Sequence, residues 1–105
     1  PSYGVARYLL ENSHYEIYFV NPLLDEVFGK KVYKSLKEIP VHIDIVDVFR
    51  KPADCPEVLA ESIDIGASSI WLQLGITVPE VDYAGNAAGL KVVMDRCIKI
   101  DYAAL

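Results

Sequence analysis

The chain reads as an α/β protein built on a doubly wound, mostly parallel sheet with helices on both faces. Three observations predict this. Short apolar or β-branched runs recur at Glu16–Val20, Asp44–Phe49, Ser69–Leu72 and Lys91–Met94. Stretches long enough for helices separate them, which is the pattern of repeated strand–helix units joined by right-handed crossovers. Finally, each run ends in residues suited to holding a ligand, and open α/β sheets bind ligands in the crevice outside the carboxyl ends of their strands.

In chain order, Ser2–Asn12 predicts a helix, with Val5, Tyr8 and Leu9 at helical spacing and Ser2 as N-cap. Ser13-His14 turns the chain into the strand Glu16–Val20, which Asn21-Pro22 closes because proline has no N–H for a central ladder. Leu23–Pro40 is mixed: Phe28-Gly29-Lys30 predicts a turn and Ser35–Ile39 a single helical turn. Asp44–Phe49 is β-branched and apolar, as a strand covered on both faces should be. The next helix is the best marked. Asp54 or Cys55 caps it, Pro56 suits its first position, and Glu57 suits the dipole at that end. Val58, Leu59, Ser62 and Ile63 make its predicted inward face, and Gly66 stops it. Ser69–Leu72 is a strand, Val78–Ala88 a weaker helix with Gly85 inside it, and Lys91–Met94 the last strand. The tail Cys97–Leu105 is expected to pack back as a short strand or turn.

A doubly wound sheet normally opens with a strand and a glycine-rich loop, whereas this chain opens with the helix. The expectation is that the first, central strand is missing because the sequence starts inside a longer chain, and that its absence splits the sheet. The 105 residues make one domain, 1–105, with ordinary hydrophobic (52%) and charged (24%) fractions. No apolar run approaches the length of a membrane span, and Pro1–Leu10 lacks the basic start and apolar block of a signal peptide. The net charge of −5 argues against a nucleic-acid surface, which would be basic. Cys55 and Cys97 match no zinc spacing and read as reduced thiols of a cytoplasmic protein. A sheet this small is compatible with a homodimer.

Several clusters carry chemistry. Ser2, Tyr3 and Gly4 stand at a helix start, where free N–H groups and the dipole favour phosphate. Phe49, Arg50, Lys51 and Pro52 set an aromatic ring beside two cations, a combination suited to an adenine flanked by phosphates. Gln73, Leu74 and Gly75 follow a strand, and the glycine allows close approach of backbone to a ligand. Asp95, Arg96 and Cys97 read first as an ion pair anchoring the tail beside a buried thiol. A reactive thiol would need a cation and access, and Cys55 at a helix N-terminus has a comparable case. Asn21-Pro22 stands where an NAD site usually places a carboxylate, which counts against NAD. No Ser–His–Asp order, paired-carboxylate site or metal-ligand spacing stands out, so an enzyme is not expected.

The segments PSYGVARYL, VNP, SLKEIP, DIVDVFRKP, WLQLG and GLKVVMDRCIKI, in that order, resemble the small bacterial and archaeal CoA-binding proteins. These are stand-alone relatives of the CoA-binding domain of the succinyl-CoA synthetase α-subunit. The resemblance covers nearly the whole chain, and VDVFRKP, WLQLG and VVMDRCIKI are its most specific parts. Two departures stand out: only PSYGVA remains of the family's opening strand and loop, and VDYAGNAA is poorer in helix formers than the family helix. The resemblance implies a Rossmann-like fold binding coenzyme A, or an acyl-CoA, non-covalently across the strand ends. Val20, Asn21 and Pro22 would border the adenosine, and the first helix and Arg50 would meet the phosphates. The thiol end would reach the Gln73–Gly75 and Arg96–Cys97 edges. It implies a carrier, sensor or regulatory module. Alternatives are the nucleotide-binding part of a CoA ligase-type enzyme, a redox module forming a disulfide between CoA and Cys97 or Cys55, and an NAD(H) sensor.

Overall fold

The computed structural model describes residues 2–73 and 75–103. Helix α1 (Ser2–Asn12) opens it. Its last carbonyls are closed by side chains: Asn12 Nδ2 donates to the Tyr8 carbonyl at 2.9 Å and Ser13 Oγ to that of Leu9 at 2.6 Å.

Three short strands follow, β1 (Phe19–Val20), β2 (Glu26–Val27) and β3 (Lys30–Tyr33), paired in the order β1-β3-β2. β1 runs parallel to β3, and β2 runs antiparallel to it. The β2–β3 connection has Phe28 (φ 51°) and Gly29 (φ 72°) in the left-handed region, the conformation a tight two-residue hairpin requires. The predicted turn is therefore present, but the flanking strands were not legible. Glu26, Lys30 and Lys31 are exposed polar residues with no apolar alternation to announce them. β1 is also shorter than the predicted Glu16–Val20, since only Phe19 and Val20 find partners, on β3.

The second sheet holds β4 (Ile45–Val48), β5 (Ser69–Leu72) and β6 (Lys91–Val93), all parallel, in the order β4-β5-β6. β1 and β4 each pair on one side only, so the strands form two sheets, as the sequence led us to expect. Helices α2 (Cys55–Asp64) and α3 (Pro79–Ala87) are the crossovers of the second sheet, and α4 (Ile98–Ala103) follows β6. The tail is thus helical, and the expected strand or turn is corrected. The Arg96 guanidinium grips Asp101 one turn into α4, which favours the helix over an extended tail.

The main core lies on the α2–α3 face of the second sheet. Val46, Val48, Ile70 and Leu72 project there against Cys55, Leu59 and Val81, while Tyr18 and Tyr33 of the first sheet's segment pack against the same cluster. The opposite face is covered by α1 and α4, where Val5, Leu9 and Ile98 enclose Trp71. Helices therefore cover both faces. Ser62 is fully buried with its hydroxyl donating to the Val58 carbonyl at 2.7 Å. Ile63, expected to face inward, is exposed, because Leu59 and Ser62 already fill the turn that meets the sheet.

Gly85 explains why α3 lies so close to β6: a Cβ there would come within 2.5 Å of Val92 Cγ2. Alanine is the better helix former by about 1 kcal/mol. Overpacking against a β-branched strand residue costs about 1–3 kcal/mol. Gly85→Ala should therefore lower the stability measured by urea denaturation by about 1 kcal/mol, and Gly85→Leu by more.

Candidate functional site

The carboxyl ends of β4, β5 and β6 lie along one edge, since parallel strands in register must end on the same side. At the end of β4, Phe49 is 39% exposed and Arg50 pairs with Asp54 at 3.4 Å. Pro52 begins a 3-10 turn that leads into α2. Arg50 therefore faces solvent beside an aromatic ring, held by one loose ion pair of little intrinsic strength.

The end of β5 is tied to β4 and to β6. Gln73 extends the ladder by donating its N–H to the Val48 carbonyl at 3.3 Å, and its carbonyl accepts from Ile76 at 2.9 Å to form a turn. Gly75 occupies φ 86° in that turn, where only glycine sits without strain. Its N–H donates to Asp95 Oδ1 at 2.6 Å, joining the loop after β5 to the loop after β6. The Gln73 side chain, 4% exposed, donates through Nε2 to the Asp47 carboxylate on β4.

At the end of β6, Asp95 is left-handed (φ 55°), a conformation that short polar residues tolerate. The Trp71 indole N–H donates to the Arg96 carbonyl at 2.6 Å, and the Arg96 guanidinium donates to both Asp101 oxygens at 2.7 and 3.2 Å. Asp101 raises the Arg96 pKa further. Arg96 is thus a clasp for the tail, the structural reading of the motif, although its partner is Asp101 and not the adjacent Asp95. Cys97 is half-buried against the Val5–Leu9–Ile98 cluster.

The remaining sequence-derived candidates fall as follows. Asn21 ends β1: its N–H donates to the Tyr33 carbonyl at 2.9 Å, and its Oδ1 accepts from Leu23 at 2.8 Å, forming a turn through Pro22. Val20 is 38% exposed beside it. These residues close the first sheet, and no hydrogen bond among the described residues joins them to the second sheet's edge. Ser2, Tyr3 and Gly4 form the first turn of α1. The side chains of Ser2 and Tyr3, and the whole of Leu74, lie outside the described residues.

Cys55 corrects an expectation. It is fully buried, with Sγ donating to the Lys51 carbonyl at 3.4 Å. Burial, reinforced by Asp54, raises its thiol pKa, so the helix N-terminus does not make it a ready nucleophile. Thiol-specific alkylation of the native protein at pH 7.5, read by mass spectrometry, should label Cys97 well before Cys55. Unfolding should remove the difference.

One residue of the edge, Asp47, was absent from the sequence-derived candidates, and Asp95, expected to pair with Arg96, instead accepts from the Gly75 N–H. Asp47 was hidden within an apolar strand, although a carboxylate between two buried valines is itself a signal. Burial pushes its pKa from the ordinary carboxylate range to about 6, and the Gln73 hydrogen bond opposes only part of that rise. The consequence for stability has a definite sign. A carboxyl whose folded pKa is raised contributes stability that is complete below its unfolded pKa and is lost as pH climbs through the folded value. Asp47→Asn should therefore raise stability above pH 6, by up to about 3 kcal/mol, with the gain vanishing below pH 4 in pH-dependent denaturation.

No group of three or more His, Cys, Asp or Glu among the described residues is arranged to hold a metal ion, and no helix there is long and apolar enough to cross a membrane.

Residues 1–103 match the CoA binding domain family. The uncharacterised protein YneT of Bacillus subtilis is 40% identical over 94 residues, which is 90% of this chain and 70% of that protein. A hypothetical protein of Pyrococcus horikoshii superposes with a TM-score of 0.94 at 36% identity, covering 99% of this chain and 72% of the other. A dinucleotide-forming acetyl-coenzyme A synthetase of Candidatus Korarchaeum cryptofilum, with phosphate and ADP, gives a TM-score of 0.78 at 18% identity. That match covers 87% of this chain and 22% of the synthetase and speaks to fold alone. The high superpositions establish the Rossmann-like fold.

Proposed function

The chain belongs to the CoA binding domain family, and from that premise we propose that it binds coenzyme A or an acyl-CoA non-covalently along the carboxyl edge of its strands. It acts as a carrier, sensor or regulatory module and not as an enzyme. The observation that carries the reading is the family match across residues 1–103, which spans every strand end of the edge. The chemistry of that edge supports it. Phe49 offers an exposed ring for the adenine, and Arg50 is a half-exposed guanidinium whose partner among the described residues, Asp54, a phosphate can displace. The first turn of α1, with Ser2, Tyr3 and Gly4, offers backbone N–H groups to a second phosphate. Val20, Asn21 and Pro22 border the adenosine. The arm with the thiol runs toward Gln73, Leu74 and Gly75 and ends near Arg96 and Cys97. Non-covalent binding accords with a buried, raised-pKa Cys55 and with a Cys97 packed against apolar side chains.

Calorimetric titration with CoA, acetyl-CoA and NAD under reducing conditions tests the proposal. CoA should bind and NAD should not, and Arg50→Ala should weaken CoA about tenfold, the value of one charge-assisted contact. Preference for NAD, absence of binding to all three, or a CoA adduct removable only by reductant would sink the reading.

A further inference from the structure

Asp47 and Trp71 are register partners on neighbouring strands, so both side chains project to the α1–α4 face of the sheet. Two residues beyond Trp71, Gln73 lies on the same face, buried at the strand end, with its Nε2 held by Asp47. An ionised carboxylate only accepts hydrogen bonds, so it fixes which end of the glutamine amide faces it. The amide nitrogen must point to Asp47, and the carbonyl oxygen must point away.

We propose that Asp47 is a positioning residue for ligand binding. Its carboxylate orients the Gln73 amide so that Oε1 is presented to the amide N–H groups of the arm of coenzyme A, and protonation of Asp47 releases that orientation. The inference rests on the CoA-binding reading above. A protonated carboxyl both donates and accepts, so it satisfies either orientation of the Gln73 amide and enforces neither.

The surroundings leave Asp47 free to act alone. Among the described residues, most other charged groups on the elements around it are engaged: Arg50 with Asp54, Arg96 with Asp101, Asp95 with the Gly75 N–H, and Arg7 with Glu11. Lys91, which the register puts on the same face two residues before Val93, is exposed to solvent. Lys99 lies over the Tyr8 ring at 5.2 Å, and Tyr8 and Cys97 are further titratable groups on this face. None of these contributes to the raised Asp47 pKa of about 6, which burial dominates. The carboxylate therefore costs the fold stability at neutral pH, and orienting Gln73 is a use that offsets this cost.

The test is the affinity for CoA between pH 5 and 8, for the native protein, Asp47→Asn and Gln73→Met. Asparagine donates and accepts as the protonated acid does, so Asp47→Asn should bind about 5- to 10-fold more weakly at pH 7.5. The ratio should fall steadily below pH 7, to less than about twofold by pH 5. Titration of the ligand's own phosphate, whose second pKa is about 6, cancels in that ratio. Gln73→Met should lose as much and show a ratio with no step near pH 6. Adenosine 3′,5′-bisphosphate-type ligands lacking the arm should bind all three proteins alike, which a merely structural defect would not allow. Side-chain amide resonances of Gln73 in the ligand-free native protein should titrate near pH 6 and stay fixed in Asp47→Asn. Equal CoA affinities at pH 7.5, or a Gln73 amide indifferent to pH, would overturn the inference while leaving CoA binding intact. Failure of the native protein to bind CoA would refute the functional reading, and with it the role in ligand binding. The amide titration would then still decide whether Asp47 orients Gln73.

Discussion

Parallel pairing at one register decides where the candidate residues at the second sheet's edge fall. Asp47 stands opposite Trp71, and Trp71 opposite Val93, across three strands that therefore end together. A slip of one residue would send Val46, Val48, Ile70 and Leu72 to the α1–α4 face and bring Asp47 and Trp71 into the main core. The apolar set forbids that, since Ile70 and Leu72 are fully buried against α2 and α3. Gly85 sharpens the same constraint by letting α3 settle against Val92. The edge is thus positioned by packing well below it. The loops at the edge then need only local chemistry: a glycine at φ 86°, an aspartate at φ 55°, and one hydrogen bond between them.

Much of this was legible in the sequence, and the reasons for the exceptions are physical. The strands of the second sheet and the helices α1 and α2 announce themselves through apolar runs, proline at a helix start and glycine at a helix end. The β2–β3 hairpin does not, because Glu26, Lys30 and Lys31 belong to a two-sided polar surface where period-2 alternation never develops. The α4 helix is six residues long and held by the Arg96–Asp101 contact, a tertiary preference too short-ranged to register as periodicity. For the site, residue types at strand ends pointed to Phe49, Arg50, Gln73 and Gly75. They did not reveal which of those groups are already partnered. Asp47 in particular has meaning only once Gln73 is seen beside it.

The two arginines of the edge show how partnering separates a structural cation from one open to exchange. Arg96 is held bidentately by Asp101, a residue of the helix it anchors, with nitrogen–oxygen distances of 2.7 and 3.2 Å. Its own carbonyl is fixed by the Trp71 indole, so moving Arg96 toward a ligand would dismantle the packing of the tail. Arg50 is in a different position. It meets Asp54 through a single 3.4 Å contact across a half-exposed loop, where water screens the pair and side-chain entropy opposes it. A phosphate carries more charge than a carboxylate and offers three acceptor oxygens to the planar fork of a guanidinium. Exchange at Arg50 therefore costs little and gains a charge-assisted contact, while exchange at Arg96 breaks a bidentate pair. Under the proposed function, anion recognition therefore falls at the end of β4, while the end of β6 serves the architecture that keeps the edge in place.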